Sequence, residues 1–587
     1  MRYLIGFFAS FGLFVLVALI GIGIGAYHGA ENWIEGVELP ESIILELTLS
    51  DPMPEVSDTS TISDLLLTKR RASLLDLVIA LEKAGRDQRV QGLVANLSRA
   101  SLDLAEAQEL HGAILRFRAT GKFAHVFTDG FDETGASSAY YLATSFNRII
   151  MQPTGLFDVR GLAINLPLLR RLLDKLGIRA ELLARHEYKS VGMVLTEEQL
   201  PETVHTNLRR TVNSLYDQLI SAIATARNLG PSAVRSLIDS APLVGPVALR
   251  SSLVDGLGYW DETAKTARKT APGAEIVRLE RYLLELDDDE PDHRIAVISA
   301  EGEILRSASK PFESRGVVAP EHVMNAVREA REDETVKAII LRVDSPGGSY
   351  VASDTILQAF RQAREGGIPV VVSMSGLAAS GGYFITLASD HIVAHPGTIT
   401  GSIGVVGGKI TIAEMLTRHG VESARISAGE NANMYLPLSP FTEPQRAKLA
   451  EVLDWIYADF TARVAESRKL VGTDLDRVAR GRIWTGEEAQ KFGLVDVLGG
   501  YHKAIVLARE AAKLEIDQPA KLTVFPKRKG RLENLFETLG NTDLTGVLSR
   551  LRDLDLVLHY AVNILESLPL LTNSNHVGLH ALPIQVR

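Results

Sequence analysis

Cysteine is missing from the sequence of 587 residues. The chain can therefore form no disulfide bond, bind no metal through a thiolate and use no cysteine as a nucleophile. Because proteins without cysteine are compatible with both sides of a membrane, this absence does not identify the compartment. Any catalytic chemistry must come from other side chains.

Blocks of basic residues are also missing. The 62 lysine and arginine residues are outnumbered by 72 aspartate and glutamate residues, which gives a net charge of −10. Since a nucleic-acid-binding surface needs clustered positive charge, we exclude nucleic acid as a partner. The glycine pairs lack the GxGxxG context, and no histidine, aspartate or glutamate cluster has metal-ligand spacing. We therefore expect neither a metal nor an organic cofactor.

Charged side chains are absent from one long segment, residues 3–27. At ~1.5 Å per residue, a helix of this length crosses the ~30 Å hydrocarbon layer of a bilayer. A cleavable signal sequence has an apolar region of only ~7 to 15 residues, so we interpret residues 1–28 as an uncleaved membrane anchor. Arg2 precedes it and three glutamates follow between residues 31 and 38. This pattern predicts a single-pass protein of the bacterial inner membrane, with a cytoplasmic N-terminus and a periplasmic body.

One long internal similarity organises the rest of the chain. Residues 136–153 align without a gap on residues 379–396, so that Ser137 lies on Ser380. The similarity extends upstream and downstream, which predicts two halves with one shared fold. An acidic, proline-containing break at residues 286–294 separates them. We therefore expect four parts, listed in chain order: an anchor at 1–28, an N-terminal unit at 40–285, a C-terminal unit at 294–525 and a helical tail at 530–587.

Short apolar runs alternate with helical periods in the C-terminal unit. The runs lie at residues 339–343, 369–373 and 391–394, and the helical periods at 321–331, 353–364 and 378–389. This alternation is typical of parallel strands with helices on both faces of the sheet. We predict an α/β fold with parallel sheets in both units.

The two units differ at the end of one predicted strand. In the C-terminal unit this strand is followed by DSPGGS (344–349), whereas the aligned segment of the N-terminal unit is SRASLD (98–103). A glycine pair permits backbone conformations that side chains forbid and can present free amides. Two such amides aimed at a developing oxyanion each supply ~3 kcal/mol of transition-state stabilisation. Gly347 or Gly348 would give one donor.

A serine follows the next strand of the same unit. Ser380 stands between two alanines and two glycines in SGLAASGGYFI (375–385), so its hydroxyl is sterically open. The amide of Gly381, directly after it, would give the second oxyanion donor. Turns at successive strand ends of a parallel sheet meet at one edge, where clefts form. Each turn alone is also compatible with an ordinary strand-to-helix connection, but together they favour a nucleophile beside an oxyanion hole.

The serine needs a base, and two types of side chain are available. His391 and His395 follow Ser380 closely but lie on a predicted buried strand, which favours a structural role. Lys189, in HEYKSVG (186–192) of the N-terminal unit, has no lysine counterpart in the C-terminal unit. Most lysines are solvated surface charges, yet burial can lower a lysine pKa enough to make it a proton acceptor. The residues alone leave this choice open.

The motifs DSPGGS, AASGGY (378–383), TGSIGV (400–405) and EYKS (187–190) together resemble the signal peptide peptidase A family, also called protease IV, in its long tandem form. The resemblance covers roughly residues 40–525. It implies a Clp-protease and crotonase-like fold and a serine/lysine dyad that degrades released signal peptides through an acyl-enzyme. Residue by residue, it implies that Ser380 is the nucleophile, that Lys189 is the general base and that Ser402 orients the lysine.

The resemblance also implies a membrane-anchored periplasmic homo-oligomer, with a tetramer favoured, that acts on apolar peptides without a cofactor. The final stretch of the chain, residues 573–587, has no counterpart in the resemblance. Two other functions fit the glycine turns: a crotonase-type acyl-CoA enzyme, and a non-catalytic membrane scaffold in which the turns only form the fold. The serine beside the oxyanion glycines and the external location favour the peptidase.

Overall fold

The computed structural model of the protein describes residues 39–49, 53–57, 72–132, 135–285, 292–307, 316–515, 518, 520–527 and 578–580. The expected anchor at 1–28 and most of the expected tail lie outside these residues. Within the described ranges, no helix combines the length and the apolar character that crossing a bilayer requires. We call residues 39–285 the N-terminal half and residues 292–527 the C-terminal half.

The N-terminal half is built around a parallel six-stranded sheet. Its elements are β1 (Ile43–Thr48), α1 (Leu74–Arg86), β2 (Val90–Asn96), α2 (Leu104–Ala119), β3 (Phe123–Thr128), α3 (Ala136–Ala143), β4 (Arg148–Met151), β5 (Leu156–Phe157), α4 (Arg170–Leu176), β6 (Arg179–Ala184), α5 (Met193–Thr196), α6 (Glu202–Arg227), α7 (Pro231–Asp239), β7 (Leu243–Val244), α8 (Gly245–Arg250), β8 (Gly256–Leu257), α9 (Trp260–Thr270), β9 (Glu275–Arg278) and α10 (Leu279–Glu285). The strand order is β8-β4-β3-β2-β1-β9.

The C-terminal half repeats this plan. Its elements are β10 (Arg294–Glu301), β11 (Glu303–Ile304), β12 (Val317–Val318), α11 (Pro320–Glu332), β13 (Val336–Ser345), β14 (Gly347–Ser349), α12 (Tyr350–Glu365), β15 (Val370–Ala379), α13 (Gly381–Phe384), a 3₁₀ turn (Ile385–Ala388), β16 (His391–Ala394), β17 (Ile399–Gly401), β18 (Val406–Thr411), α14 (Ala413–Arg418), α15 (Glu443–Arg468), α16 (Gly472–Val478), β19 (Ile483–Thr485), α17 (Gly486–Lys491), β20 (Val497–Leu498), α18 (Tyr501–Ala511) and β21 (Lys521–Val524). Near the C-terminus, β22 (Gly578–His580) follows.

The two main sheets have equivalent strand orders. In the C-terminal half the parallel strands run β20-β16-β15-β13-β10-β21, and β17 and β19 extend the sheet beside β15. β13 and β15 are buried along almost their whole length, which is why they read as continuous apolar runs in the sequence. The predicted α/β fold with parallel sheets is confirmed. The helix expected at 378–389 begins only at Gly381, because Ala378 and Ala379 still belong to β15.

A third, smaller sheet links the two halves. β6 of the N-terminal half pairs with β18 of the C-terminal half in an antiparallel register that runs from Ala184 opposite Val406 to Arg179 opposite Thr411. The apolar core is also shared, since Leu93 of the N-terminal half and Val371 of the C-terminal half belong to one buried cluster. These contacts hold the loop after β6 against the C-terminal half.

A buried polar cluster fixes the same interface. Arg342 on β13 donates from Nε to Glu55 at 2.7 Å and from Nη1 to Glu109 at 3.3 Å, and both carboxylates come from the N-terminal half. Glu109 also accepts hydrogen bonds from the Tyr501 amide at 2.9 Å and pairs with His395 Nε2 at 3.0 Å. Burial opposes ionisation of Glu109, but His395 and Arg342 outweigh it and lower its pKa to about 2. An interface of paired, hydrogen-bonded charges tolerates little displacement, because a separated partner would be left buried and uncompensated.

Candidate active site

Ser380 lies at the junction between β15 and α13. Its side chain is completely buried, and its backbone has φ 57° and ψ −116°. This conformation is strained for a residue with a side chain, and such strain concentrates at functional sites. The Ser380 amide donates to the Gly401 carbonyl at 2.8 Å, which holds the turn against β17. The turn therefore fixes the hydroxyl at the carboxyl edge of the sheet.

Lys189 approaches this hydroxyl from the N-terminal half of the same chain. Its Nζ lies 2.6 Å from Ser380 Oγ. Nζ also donates to the Ser402 carbonyl at 2.9 Å and contacts Ser402 Oγ at 3.1 Å. The structure thus brings together Ser380, Lys189 and Ser402, the three residues to which the resemblance assigns catalytic roles. The sequence left open whether the lysine and the serine meet within one chain or between two chains. In the structure, both residues belong to the same chain.

The amine of Lys189 is buried from solvent. The residue is 1 % exposed, and burial lowers the pKa of Lys189 well below its ordinary value. A lysine whose pKa is lowered by burial loses its proton more readily than an exposed one, and the neutral amine can then accept a proton from a hydroxyl. The geometry and the electrostatics of the pair are therefore those of a nucleophile with its base.

A loop of the C-terminal half contacts the lysine, and no motif in the sequence indicated this loop. Arg480 donates to both oxygens of Glu187, at 3.0 and 2.9 Å, and its carbonyl accepts from the Tyr188 amide. Gly481 has φ +84°, and a Cβ on it would lie 2.4 Å from the Lys189 backbone nitrogen. The carbonyl of Arg482 accepts the Ser402 amide at 2.6 Å. The segment 480–482 therefore positions both Lys189 and Ser402.

The glycine pair lies beside the serine, but its two amides differ. The Gly347 amide donates to Ser345 Oγ at 3.2 Å. The Gly348 nitrogen would lie 3.0 Å from a Cβ placed on Gly381, so it lies close to the turn that carries Ser380. Gly381 is the first residue of α13, where an amide has no partner within its own helix. Because the Gly347 amide already has a hydrogen-bond partner, Gly348 and Gly381 are the remaining candidates for the two oxyanion donors.

A short strand near the C-terminus, β22, pairs with the strand β14 that contains the glycine pair. β22 runs antiparallel to β14, with Leu579 opposite Gly348, and Gly578 lies opposite Val406 of β18. The final stretch, which has no counterpart in the resemblance, thus places three residues in extended conformation between two strands next to Ser380. The edge of β14 accepts an extended peptide by main-chain pairing.

The two histidines considered as bases lie elsewhere. His391 begins β16 and pairs in register with Val371, and His395 contacts Glu109 in the buried polar cluster. Neither has a hydrogen bond to Ser380 among those of the described residues. Within the described ranges no group of three or more histidine and carboxylate side chains could hold a metal ion.

The equivalent position in the N-terminal half has a different environment. Ser137 Oγ donates to the Gly161 carbonyl at 3.1 Å. The residue is in the first turn of α3 with ordinary helical neighbours, and the aligned strand end carries no glycine pair. The hydroxyl of Ser137 therefore bonds to a backbone carbonyl, whereas the hydroxyl of Ser380 contacts the amine of Lys189.

Comparisons with known proteins agree with this geometry. The sequence model described as peptidase family S49 matches residues 128–272 and 362–515, just over half of the chain. The chain is similar to "Protease 4" of Salmonella typhi, with 33% identity over 458 residues that cover 76% of this chain and 72% of that protein. It is 29% identical to "Protease 4" of Haemophilus influenzae over 75% of this chain and 73% of that protein. It is also 27% identical to "Serine protease SPPA, chloroplastic" of Arabidopsis thaliana, over 78% of this chain and 69% of that protein.

Proposed function

We propose that this chain, a serine peptidase that belongs to peptidase family S49, cleaves peptide bonds through an acyl-enzyme on Ser380 with Lys189 as the general base. The observation that carries the proposal is the 2.6 Å contact between a buried lysine amine and the serine hydroxyl. An uncharged amine at this distance can take the hydroxyl proton without any movement of the backbone.

Acylation begins when Ser380 Oγ attacks the carbonyl carbon of the scissile bond. The Oγ proton moves to Lys189 Nζ, and the carbonyl oxygen becomes an oxyanion that the amides of Gly348 and Gly381 bind. The C–N bond then breaks, and the Lys189 ammonium gives its proton to the leaving nitrogen. The products of this step are a free amine and an ester on Ser380, and Lys189 is neutral again.

Deacylation repeats these transfers with water. Lys189 takes a proton from a water molecule that attacks the ester carbonyl, and the same two amides bind the second oxyanion. When the ester bond breaks, the proton returns from Nζ to Ser380 Oγ. Ser402 acts throughout as a positioning residue, because its carbonyl and hydroxyl hold Nζ toward Ser380.

The substrates are extended apolar peptides, and we propose released signal peptides as the main class. The pairing of β22 with β14 supports binding of an extended chain beside the nucleophile. We further propose that the enzyme is a homo-oligomer, with a tetramer favoured, held by an N-terminal anchor in the bacterial inner membrane with its body in the periplasm. Its fold is proposed to be of the Clp-protease and crotonase type.

Labelling with a fluorophosphonate tests the dyad. The probe should form a covalent adduct on Ser380, identified by mass spectrometry of the labelled peptide, and labelling should rise with pH as Lys189 loses its proton. Lys189→Met should abolish labelling in a protein that is folded and still unfolds cooperatively on heating. An adduct on Ser137, or undiminished labelling of Lys189→Met, would exclude the proposed pair.

A further inference from the structure

Strand β15 contains a bulge just before the turn that carries the serine. The last regular pair between β13 and β15 is Val343 opposite Met374, and the next pair is Ser345 opposite Ala378. Residues 375–377 of β15 therefore lie opposite a single residue of β13. Bulges of this kind occur next to active sites, where they change the direction in which a side chain points.

The single residue opposite this bulge is Asp344, the first residue of the DSPGGS motif. A bulge disrupts the regular ladder of main-chain hydrogen bonds and leaves backbone groups in need of other partners. Asp344 Oδ1 accepts the Leu377 amide at 2.8 Å. The carbonyl of Asp344 accepts the Gly302 amide at 2.8 Å, which fixes its backbone at the end of β10. A side chain on a fixed backbone thus holds the last residue of the bulge.

Side chains of both halves contact the rest of the bulge. Ser375 Oγ accepts from Arg342 Nη2 at 3.0 Å and donates to Glu55 of the N-terminal half. A Cβ on Gly376 would lie 2.0 Å from Oδ2 of Asp103, which also belongs to the N-terminal half. The bulge is therefore packed against the half that supplies the lysine.

The bulge is also the point at which β15 changes its neighbour. Before the bulge the strand pairs with β16, as far as Met374 opposite Ala394. After the bulge it pairs with β17, beginning with Leu377 opposite Ile399. Because the register of a strand fixes where its end lies, the bulge sets the position of Ser380.

The contacts at Ser380 leave little room for a change in that position. Ser380 Oγ lies 2.6 Å from Lys189 Nζ. The Gly348 nitrogen would lie 3.0 Å from a Cβ on Gly381, the residue after the serine. A displacement of ~1 Å between reacting groups can cost ~10²-fold in rate. The form of the bulge should therefore affect the alignment of the hydroxyl with its base and with the oxyanion donors.

We propose that Asp344 is a positioning residue for hydrolysis at Ser380, because its hydrogen bond to the Leu377 amide holds the bulge in the form that aligns the hydroxyl with Lys189. The assignment rests on the proposed function, in which Ser380 is the nucleophile. Asp344 acts through the backbone of β15 and not on the substrate.

The acceptor oxygen of Asp344, and not its charge, is the group that this role requires. Burial and the negative charges of Glu55 and Asp103 raise the pKa of Asp344. These surroundings oppose a charge on the carboxyl. An asparagine offers the same acceptor oxygen without a charge. Asp344→Asn should therefore replace the natural residue, whereas Asp344→Ala should not.

The N-terminal half has a corresponding contact that provides a matched control. Ser98 aligns with Asp344, and its Oγ accepts the Asp129 amide, directly after β3, at 3.0 Å. In each half a side chain that follows one strand thus accepts an amide at the end of the next. Only in the C-terminal half does this next strand lead to the proposed nucleophile. Ser98→Ala removes the same type of hydrogen bond away from the site.

Steady-state hydrolysis of a fluorogenic apolar peptide by the full chain tests the assignment. Asp344→Ala should lower kcat by ~10²-fold with little change in KM, because the misplaced hydroxyl affects the chemical step. Asp344→Asn should keep kcat within about threefold of the natural value, and Ser98→Ala should leave it unchanged. Natural kcat in a folded Asp344→Ala chain, or an equal loss in Asp344→Asn, would overturn the assignment. Thermal unfolding of every variant shows whether it is folded.

Hydrogen exchange provides a measurement that does not depend on catalysis. Peptides covering residues 374–384 should exchange faster in Asp344→Ala than in the natural chain, and at the natural rate in Asp344→Asn. Unchanged exchange in Asp344→Ala would show that Asp344 does not hold the bulge. If Asp344→Ala does not fold, Asp344→Asn decides, since a loss of kcat there contradicts a role that needs only the acceptor.

The natural chain separates the two proposals. If it neither hydrolyses peptides nor reacts with a fluorophosphonate at Ser380, the proposed function fails, and hydrogen exchange alone then decides whether Asp344 holds the bulge. If the natural chain is active and Asp344→Ala is equally active, only the role of Asp344 is refuted.

Discussion

The N-terminal and C-terminal halves share the contacts that form their fold and differ in those that form the site. Tyr140 OH donates to the Leu253 carbonyl at 2.7 Å, and the aligned Tyr383 OH donates to the Leu494 carbonyl at 3.0 Å. Likewise, an arginine on a long helix pairs with an aspartate in both halves, Arg227 with Asp255 and Arg468 with Asp496. Matching residues in a repeat therefore identify structural roles.

The differences identify the chemistry. The C-terminal half has the serine turn and the glycine pair, whereas the N-terminal half has the lysine. Neither half has both parts, so the proposed site can form only at their interface, where β6 pairs with β18. We infer that the two halves divided the functions of the site between them. Substitutions at aligned positions can test this inference directly.

The largest difference is expected between the two aligned serines. Ser380→Ala should lower the rate of peptide hydrolysis by at least ~10⁴-fold, because it removes the proposed nucleophile that lies 2.6 Å from Lys189 Nζ. Ser137→Ala should leave the rate unchanged, since this side chain only donates to a carbonyl. Steady-state assays with a fluorogenic apolar peptide measure both. Equal losses in the two variants would show that the halves have not diverged in function.

A second comparison concerns the loop that surrounds Lys189. Gly481→Ala should reduce kcat by ~10²-fold, because its Cβ would push the Lys189 backbone away from Ser380. Gly493→Ala is the matched control, since Gly493 also has positive φ (+77°) but its Cβ would meet only Leu470 Cδ2, at 3.8 Å. The control separates backbone strain from displacement of the lysine. If the two variants lose activity equally, segment 480–482 has no positioning role.

Local patterns in the sequence single out the serine side of the candidate site, and they do not single out the rest of it. Ser380 and the glycine pair lie at strand ends, and their small neighbours make them visible in a local pattern. Lys189 is visible only through the family resemblance, because its burial depends on residues almost 300 positions away, such as Gly481. The family itself was recognised correctly from short motifs.

The buried polar contacts between the halves were not predicted for the same reason. No local pattern distinguishes Glu55, Glu109 and Arg342 in the sequence, and only the folded chain makes them partners. Periodicity predicted the fold class because apolar strands are local in sequence. It placed the helix after β15 three residues too early, since alanines suit a buried strand and a helix equally. The role of the tail could not be predicted, because pairing by the main chain leaves no side-chain pattern.

A smaller effect is expected at Ser402, which aligns with Val159 of the N-terminal half. Ser402→Ala removes one contact to Lys189 Nζ but keeps the carbonyl contact at 2.9 Å, so kcat should fall by only ~10-fold. A hydroxyl that accepts from the ammonium stabilises the charged form, so its loss should move the acidic limb of the pH–rate profile to lower pH. Val159→Ala should leave that profile unchanged. An unshifted profile for Ser402→Ala would indicate a purely structural role.

The smallest effect concerns the stability of the fold and the titration of Lys189. The position aligned with Lys189 in the C-terminal half has an alanine, Ala432. Burial lowers the pKa of Lys189, so between that pKa and ~10.4 the unfolded chain binds a proton that the folded chain does not. The folding stability of the natural protein should therefore rise with pH in this window, by up to about 1.4 kcal/mol per pH unit. Lys189→Met keeps the apolar stem and removes the titration.

Lys189→Met should therefore be inactive but melt at a higher temperature than the natural protein near neutral pH, with the difference shrinking as the pH approaches 10. Calorimetric scans across this pH range measure the trend. Lys491→Met is the control, because Lys491 is exposed and pairs with Glu487 on the surface, so its removal should leave the pH trend intact. A Lys189→Met chain that loses stability equally at every pH would mean that the amine is held as a cation, which is incompatible with a role as the base.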